Sequence, residues 1–389
     1  MDTSNLQNDK MKVLFIQDSL GTGGAERSNA NFWYYLREKG VEPSIIVLKS
    51  RNEGIQKEIL NAGFNVTFLK SKSRASRIRE VISIVDEFKP DIVYTFLFEA
   101  SLIARGVKFF RKFILIENLV NETYSKLRLK DPNVNIWKLE TYRLIDFITQ
   151  LFTVDHYQAN GLSVSEHYKK KLLVNSRRIS IINRGRSTNR YVGDEALRTF
   201  YRNDLNVDNK LVFINVARHE FQKGQDTLLD SLNELPKTYL SQIKVLLVGR
   251  DGELSKTIAH KILSYGLEDV VTLLGHRDDV VKLLVASDVF VFPSRFEGLP
   301  GSLIEAEAAG LPIICSDINN NMEVVRINEN ALVFNVNDHV DLAAKIKLII
   351  ENPEIRKSFG LRSLEIFNEK FEISNIHNQM FRLLQEKIN

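Results

Sequence analysis

Cysteine is almost absent from this 389-residue sequence, where Cys315 stands alone. An internal disulfide framework is thereby excluded, and the composition suits a reducing compartment. No apolar run approaches the roughly 20 residues that a helix needs to cross a bilayer. The first ten residues, MDTSNLQNDK, are polar and lack the apolar stretch of a signal peptide. The expected location is therefore cytoplasmic. Histidine is sparse as well: there are seven, none before His156, and none forms H-x-x-x-H or H-E-x-x-H. No metal site is expected from such a set. The G-x-S-x-G turn of a serine hydrolase is missing. So is the G-x-G-x-x-G dinucleotide fingerprint, because Glu26 occupies the last glycine's place in GTGGAE, which argues against a nicotinamide dehydrogenase. Cys315 has no thiol partner and reads as structural.

Charge of one sign is scarce overall but not locally. The formal net charge is +4, yet through Thr188 there are 30 Lys and Arg against 20 Asp and Glu, a net of +10 that leaves −6 for the remainder. The cations gather in KSKSRASRIR (70–79), RGVKFFRKF (105–113) and YKKKLLVNSRRISIINRGR (168–186). A basic half can serve nucleic acid, an anionic membrane surface or phosphate-bearing substrates, or be a solvated face. In RGVKFFRKF, Phe109, Phe110 and Phe113 are interleaved with four cations. That mixture suits a helix lying on a membrane surface, although the same rings could face the core.

The length implies two domains. MKVLFIQDSL (11–20) reads as a buried parallel strand, followed by a glycine turn and an amphipathic helix. Strand and helix then alternate through FILIEN (113–118), weaken across 119–150, and return at ISIIN (179–183). RGRSTNRYVGDE (184–195) is the candidate linker. A second series follows, with strands KLVFINVAR, IKVLLVGR, VVTLLG, VFVFPS and PIICSD, and a helical last third from Val340. The fold class is α/β: two Rossmann-like, doubly wound domains facing across a cleft. In such sheets ligands bind beyond the carboxyl ends of the strands, so the loops there should carry the chemistry.

Three such loops stand out. GTGGAE (21–26) lets backbone amides approach a phosphate or sugar at a helix start, or is simply a tight turn. NVARHEFQKGQD (215–226) places Arg218 and Lys223 five residues apart, where both could meet one anion. RFEGLPGSLIEAEAAGLP (295–312) carries Glu297 in the loop and Glu305 beyond it. Between them Gly298, Gly301 and Ser302 leave amides uncrowded for a phosphate, and Pro300 fixes the turn. Glu305 can accept two hydroxyl hydrogen bonds from a ribose, and Glu297 can hold another polyol. Two carboxylates flanking a phosphate-sized nest describe a sugar-nucleotide site. The competing reading is a capping box, in which Ser302 and Glu305 satisfy each other's first-turn amides. Glu307 lies about 200° around the helix from Glu305, so it faces away and its removal is expected to matter little.

With those residues in view, the chain resembles the retaining, nucleotide-sugar-dependent glycosyltransferases of the GT-B fold, family 4. Their hallmark E-x7-E lies within F-E-G-x-P-x-x-x-x-E-A-x-A-x-G, which the sequence matches from Phe296 to Gly310. GGAE, the Arg218–Gly224 turn, VGRDGE (248–253) and GHRDD (275–279) extend the resemblance over nearly the whole chain. It implies an N-terminal acceptor-side domain, 1–188, a donor-binding domain, 189–371, and a last helix, 372–389, crossing back onto the first. It further implies that Arg218 and Lys223 neutralise the donor diphosphate with help from the backbone of the segment Gly298, Leu299, Pro300, Gly301, Ser302 and Leu303. Pro300 itself has no amide hydrogen, so its part is to shape the turn. Glu305 would bind the ribose and Glu297 the transferred hexose. Gly23 and Gly24 would approach the β-phosphate, and the segment with His276 and Arg277 would lie beside the base. No metal or other cofactor is required by that scheme, the nucleoside-diphosphate sugar being a co-substrate.

Three departures accompany the resemblance. Where many members have a histidine after a first-domain strand, FILIEN offers Glu117 and Asn118, which makes Glu117 a catalytic candidate. The linker reads Asn183-Arg184-Gly185-Arg186 in place of Asn-Gly-x-Asp, and the usual Gly-Gly becomes Asn319-Asn320-Asn321 with Glu323 beyond. The expected activity is hexosyl transfer to a glycan or lipid-linked acceptor in cell-surface polysaccharide or lipopolysaccharide synthesis. A peripheral contact with the anionic inner membrane face is expected, and nucleic acid is not. The alternatives are an inactive sugar-nucleotide-binding protein and a GT-B-fold sugar-nucleotide epimerase.

Overall fold

A computed structural model describes residues 11–388 apart from 22, 52, 53, 126, 127, 132 and 133. Its strands are β1 (Val13–Ser19), β2 (Ser44–Lys49), β3 (Asn65–Phe68), β4 (Ile92–Phe96), β5 (Ile114–Leu119), β6 (His156–Ala159), β7 (Ile179–Ile181), β8 (Leu211–Val216), β9 (Ile243–Val248), β10 (Val271–Gly275), β11 (Val289–Phe292), β12 (Ile313–Ser316) and β13 (Ala331–Phe334). They form two parallel sheets, ordered β3-β2-β1-β4-β5-β6-β7 and β10-β9-β8-β11-β12-β13. Near-continuous apolar runs such as Val13–Ile16 and Ile313–Cys315 make these strands, because a parallel sheet is covered by helices on both faces. The fold is GT-B, two Rossmann-like domains.

Each sheet has one place where the strand order reverses: between β1 and β4 in the first, and between β8 and β11 in the second. Connections on either side of such a point run to opposite faces and leave a crevice at the strands' carboxyl ends. The two crevices face each other. The Asn121 backbone forms an isolated antiparallel bridge with Gly298. Glu323 accepts from the amides of Leu162 and Ser163, at 2.5 and 2.6 Å, and Asn320 Nδ2 donates to Glu122 at 3.1 Å. Asn320 of the asparagine run, with Glu323 beyond it, thus bridges the two domains.

Helix Ile373–Ile388 buries Ile376, Met380, Leu383 and Leu384 in the same cluster as Phe32 and Trp33 of the first domain. Each such side chain is worth about 1.5–3 kcal/mol, which anchors the last helix on the first sheet. The weak pattern across 119–150 conceals an 18-residue helix, Ile136–Thr153. Its apolar residues point both ways: Leu139 is buried, while Trp137, Leu144, Ile148 and Phe152 are exposed. That two-sided distribution is why no single helical stripe was legible. The brief strands β6 and β13, four residues each, also escape a periodicity reading.

Candidate functional site

The loop after β8 passes through Arg218 to a single turn at Phe221–Lys223 and enters helix Gln225–Asn233. Gly224, between turn and helix, has φ 65°, and a Cβ there would lie 2.1 Å from the Pro293 carbonyl oxygen. Only glycine permits that approach, which presses the Lys223 turn onto the loop after β11. Arg295 stitches the two loops together. Its guanidinium donates to both Asp226 carboxylate oxygens at 2.9 and 2.8 Å and to the Phe221 carbonyl at 2.6 Å.

Glu297 follows in the loop so held, only 8% exposed. Lys223 Nζ donates to its Oε1 at 2.6 Å, and Gln222 Nε2 to its Oε2 at 3.2 Å. The fold therefore joins two residues that the sequence placed in separate motifs. Arg218 does not join them, since its guanidinium pairs with Glu220 at 2.6 Å and remains half exposed.

The helix after this loop spans Gly301–Ala308, with Pro300 at its N-cap position and no side-chain cap. The capping-box reading of Ser302 and Glu305 is thus corrected. Starting at Gly301, the helix places Ser302 second and Glu305 fifth, one turn too deep to cap the first amides. Glu305 Oε1 instead accepts from Arg186 Nε at 2.6 Å. Arg186 belongs to the interdomain linker, and its Nη2 lies 1.9 Å from where a Cβ on Gly301 would sit. Glycine at 301 is what admits the guanidinium over the helix start.

Arg218, Lys223, Glu297, Pro300, Ser302 and Glu305 line one cleft of about 670 Å³, with Gly301 beneath and Gly23 and Gly24 facing them from the first domain. Gly298 touches the first domain backbone to backbone. Leu299 and Leu303 are 2% and 0% exposed and point into the second domain's core, so their side chains contribute packing. His276 and Arg277 sit on a recess of about 230 Å³ that shares Gly23, Gly24 and Arg218 with the cleft. Arg277 is held by Asp279 through two hydrogen bonds of 2.8 and 2.7 Å.

Glu117 does not reach this group. It lies buried in the first domain, with Arg105 Nε and Nη2 donating to its two oxygens at 2.7 and 2.5 Å. Arg105 also donates to Asp146 at 2.6 Å and Thr149 at 2.8 Å. Burial pushes the Glu117 carboxyl above its ordinary range, opposed by the Arg105 charge. It forms part of the wall of a pocket of about 460 Å³ that adjoins the cleft through Leu97, Val120 and Asn121. With both oxygens engaged by the Arg105 guanidinium, Glu117 stands in the first domain's wall and not among the residues that Lys223 and Glu297 gather, a place that fits a structural role. Glu307 is also buried, at 0% exposure, with Asn330 Nδ2 donating to it at 2.9 Å. It faces away from the cleft, but it is a core residue rather than an idle surface charge.

Sequence reasoning missed Gln222, Arg184 and Arg186. The only signal for the arginines was the departure of the linker from the Asn-Gly-x-Asp pattern. Among the described residues, no group of three or more His, Cys, Asp or Glu could hold a metal ion.

Comparison with known proteins sets this geometry in context. Residues 198–363 match the family described as "Glycosyl transferases group 1". An uncharacterized glycosyltransferase of Methanocaldococcus jannaschii is 28% identical over 68% of this chain, an alignment that spans 64% of that protein's own length. A GalNAc-alpha-(1->4)-GalNAc-alpha-(1->3)-diNAcBac-PP-undecaprenol alpha-1,4-N-acetyl-D-galactosaminyltransferase of Campylobacter jejuni is 25% identical over 97% of this chain and 99% of its own. The crystal structure of Anabaena HepE in complex with UDP-glucose superposes with a TM-score of 0.85 at 20% identity, covering 97% of this chain and 100% of that one, a likeness of fold.

Proposed function

We propose that this chain, whose residues 198–363 match the family described as glycosyl transferases group 1, is a retaining hexosyltransferase. It moves a sugar from a nucleoside-diphosphate donor to a glycan or lipid-linked acceptor, in cell-surface polysaccharide or lipopolysaccharide synthesis. The observation that carries this reading is the cleft in which Lys223 meets Glu297 at 2.6 Å beside the open helix start at Gly301. The full-length likeness to a transferase acting on a PP-undecaprenol glycan supports the lipid-linked acceptor.

In this scheme Glu305 exchanges Arg186 for the ribose hydroxyls, and the recess at His276 and Arg277 takes the base. Lys223 and Arg218 meet the diphosphate over the amides of Gly301 and Ser302, with Gly23 and Gly24 on its other side. Glu297, oriented by Lys223 and Gln222, accepts hydrogen bonds from the hexose. The bond from the sugar's anomeric carbon to the phosphate oxygen breaks as the bond to the acceptor oxygen forms on the same face. The acceptor's hydroxyl proton passes to the departing phosphate. Charge therefore grows on the nucleoside diphosphate, and the cations already placed there stabilise it without reorganisation. No metal is called for in this scheme.

A peripheral place at the inner face of the membrane completes the reading. Helix Ile136–Thr153 presents Trp137, 85% exposed, and Phe152, 74% exposed, on the basic first domain. Phe109 and Phe110 are exposed near Arg111 and Lys112, whereas Phe113 is buried. Rings beside cations suit an anionic bilayer surface. Among the described residues no helix is long and apolar enough to cross one.

The test is incubation with UDP-, GDP- and ADP-sugars, following free nucleoside diphosphate with and without cell lipid extract. Acceptor-dependent release is expected with one donor. Tight donor binding with no such release would instead identify an inactive sugar-nucleotide-binding protein.

A further inference from the structure

Arg184 is the one linker cation in the cleft that no contact among the described residues explains. It follows β7 by three residues and lines the cleft with Arg186 and Gly301. Its Nη1 lies 3.4 Å from the place a Cβ on Gly301 would occupy, so the guanidinium stands over the start of helix Gly301–Ala308. Among the described residues it has no hydrogen-bond or ion-pair partner. The nearby carboxylates are already held: Glu297 by Lys223 and Glu305 by Arg186. Loss of solvent, and then the neighbouring Arg186, push Arg184 down to about 10, against the pull of Glu297 and Glu305.

A partly buried cation crowded by a second guanidinium and without a hydrogen-bonding partner is unfavourable unless an anion completes it. The cleft as a whole asks for one, since six cations line it against three carboxylates. The planar guanidinium fork matches two oxygens of a phosphate. The first amides of the helix beneath it are donors aimed at the same space.

We propose that Arg184 is a diphosphate ligand supplied by the interdomain linker, acting with Lys223 and Arg218 on the donor's leaving group. The role rests on the donor reading above and adds to it a residue from outside both donor loops. A nucleoside diphosphate carries a charge of about −3 near neutral pH when its terminal phosphate is ionised, and three cations then face it. Because Arg184 lies between the domains, the contact forms only while the linker holds its place over Gly301.

Calorimetric titration of the full chain with UDP, UMP and uridine, and with GDP, GMP and guanosine, tests this role in the wild type, Arg184→Gln and Arg184→Lys. For the base that the wild type prefers, Arg184→Gln should weaken diphosphate binding about 10- to 100-fold, the worth of a charge-assisted contact. Binding of the nucleoside should not change, and Arg184→Lys should recover part of the loss. Thermal melts should match the wild type for Arg184→Lys and match or exceed it for Arg184→Gln, since the side chain has no partner to lose. Equal diphosphate-to-nucleoside affinity ratios in wild type and Arg184→Gln would overturn the assignment while leaving the donor reading intact. A wild type that binds none of the six compounds, nor ADP titrated in the same way, would remove the donor reading, and this role with it.

Discussion

Lys223 Nζ lies 2.6 Å from Glu297 Oε1, joining loops that are 74 residues apart in sequence. The pair sits at the reversal point of the second sheet, where the loops after β8 and β11 leave in different directions. Each partner holds the other in the arrangement that the proposed transfer needs.

Lys223→Ala should therefore lose activity and stability together. Breaking a buried pair leaves one charge uncompensated, and about 3 kcal/mol is the order of that loss for a fully buried case. A smaller fall in melting stability is expected here, because the site opens on the cleft. Turnover should fall at least about 100-fold, the range for losing one preorganised donor at developing charge. Adding Glu297→Gln should restore the melt without restoring turnover. Near-normal turnover of a stable Lys223→Ala protein would reject the diphosphate role.

Glu305→Ala removes the carboxylate assigned to the ribose and releases Arg186. Nucleoside diphosphate binding should weaken by about 10-fold, roughly one charge-assisted hydrogen bond. The check is titration of the 2′-deoxy nucleotide alongside the parent. Wild type should discriminate between them and the variant should not; equal discrimination by both proteins would eliminate the ribose contact.

Glu307 gives a pH-dependent stability with a defined sign. Burial holds its carboxyl well above the ordinary 4.5, opposed by the Asn330 hydrogen bond. The folded chain therefore keeps a proton that the unfolded chain releases above about that pH. Stability from this group is full below it and is lost as pH rises towards the folded value. Glu307→Gln, which cannot ionise, should gain in melting temperature relative to wild type between pH 5 and pH 8. A difference that stays constant over that interval would contradict a buried, protonated Glu307.

Arg105 binds Glu117 and Asp146 with all three side chains no more than 5% exposed. Arg105→Met strands two acids in the core and should destabilise by about 3–5 kcal/mol. Denaturant unfolding reads this directly. A loss of activity with no loss of stability would return Glu117 to a catalytic role.

Trp137→Ser with Phe152→Ser should lower binding to phosphatidylglycerol vesicles at least about 10-fold, from the roughly 1.5–3 kcal/mol of each aromatic. Turnover on a water-soluble acceptor fragment should be unchanged. Equal sedimentation of wild type with phosphatidylcholine and phosphatidylglycerol vesicles would count against the anionic surface.

The sequence by itself determined the parallel α/β architecture, because runs such as Val13–Ile16 and Phe290–Phe292 are apolar on both faces. It also determined the loop containing Glu297, Gly301 and Glu305, where residue type and spacing lie within one local segment. What only the tertiary structure decided is which partners those residues meet. Ser302 and Glu305 satisfy a capping rule by spacing, yet a helix starting at Gly301 puts them out of register, and Arg186 takes the carboxylate. Glu117 occupies a strand end that could carry chemistry, and Arg105 from a neighbouring helix neutralises it. The linker arginines read as a mere departure until the chain crossing placed them over Gly301. Spacing along a chain governs backbone geometry over a few residues. Pairing of charges depends on distances between segments, which are fixed only when the two sheets close on each other.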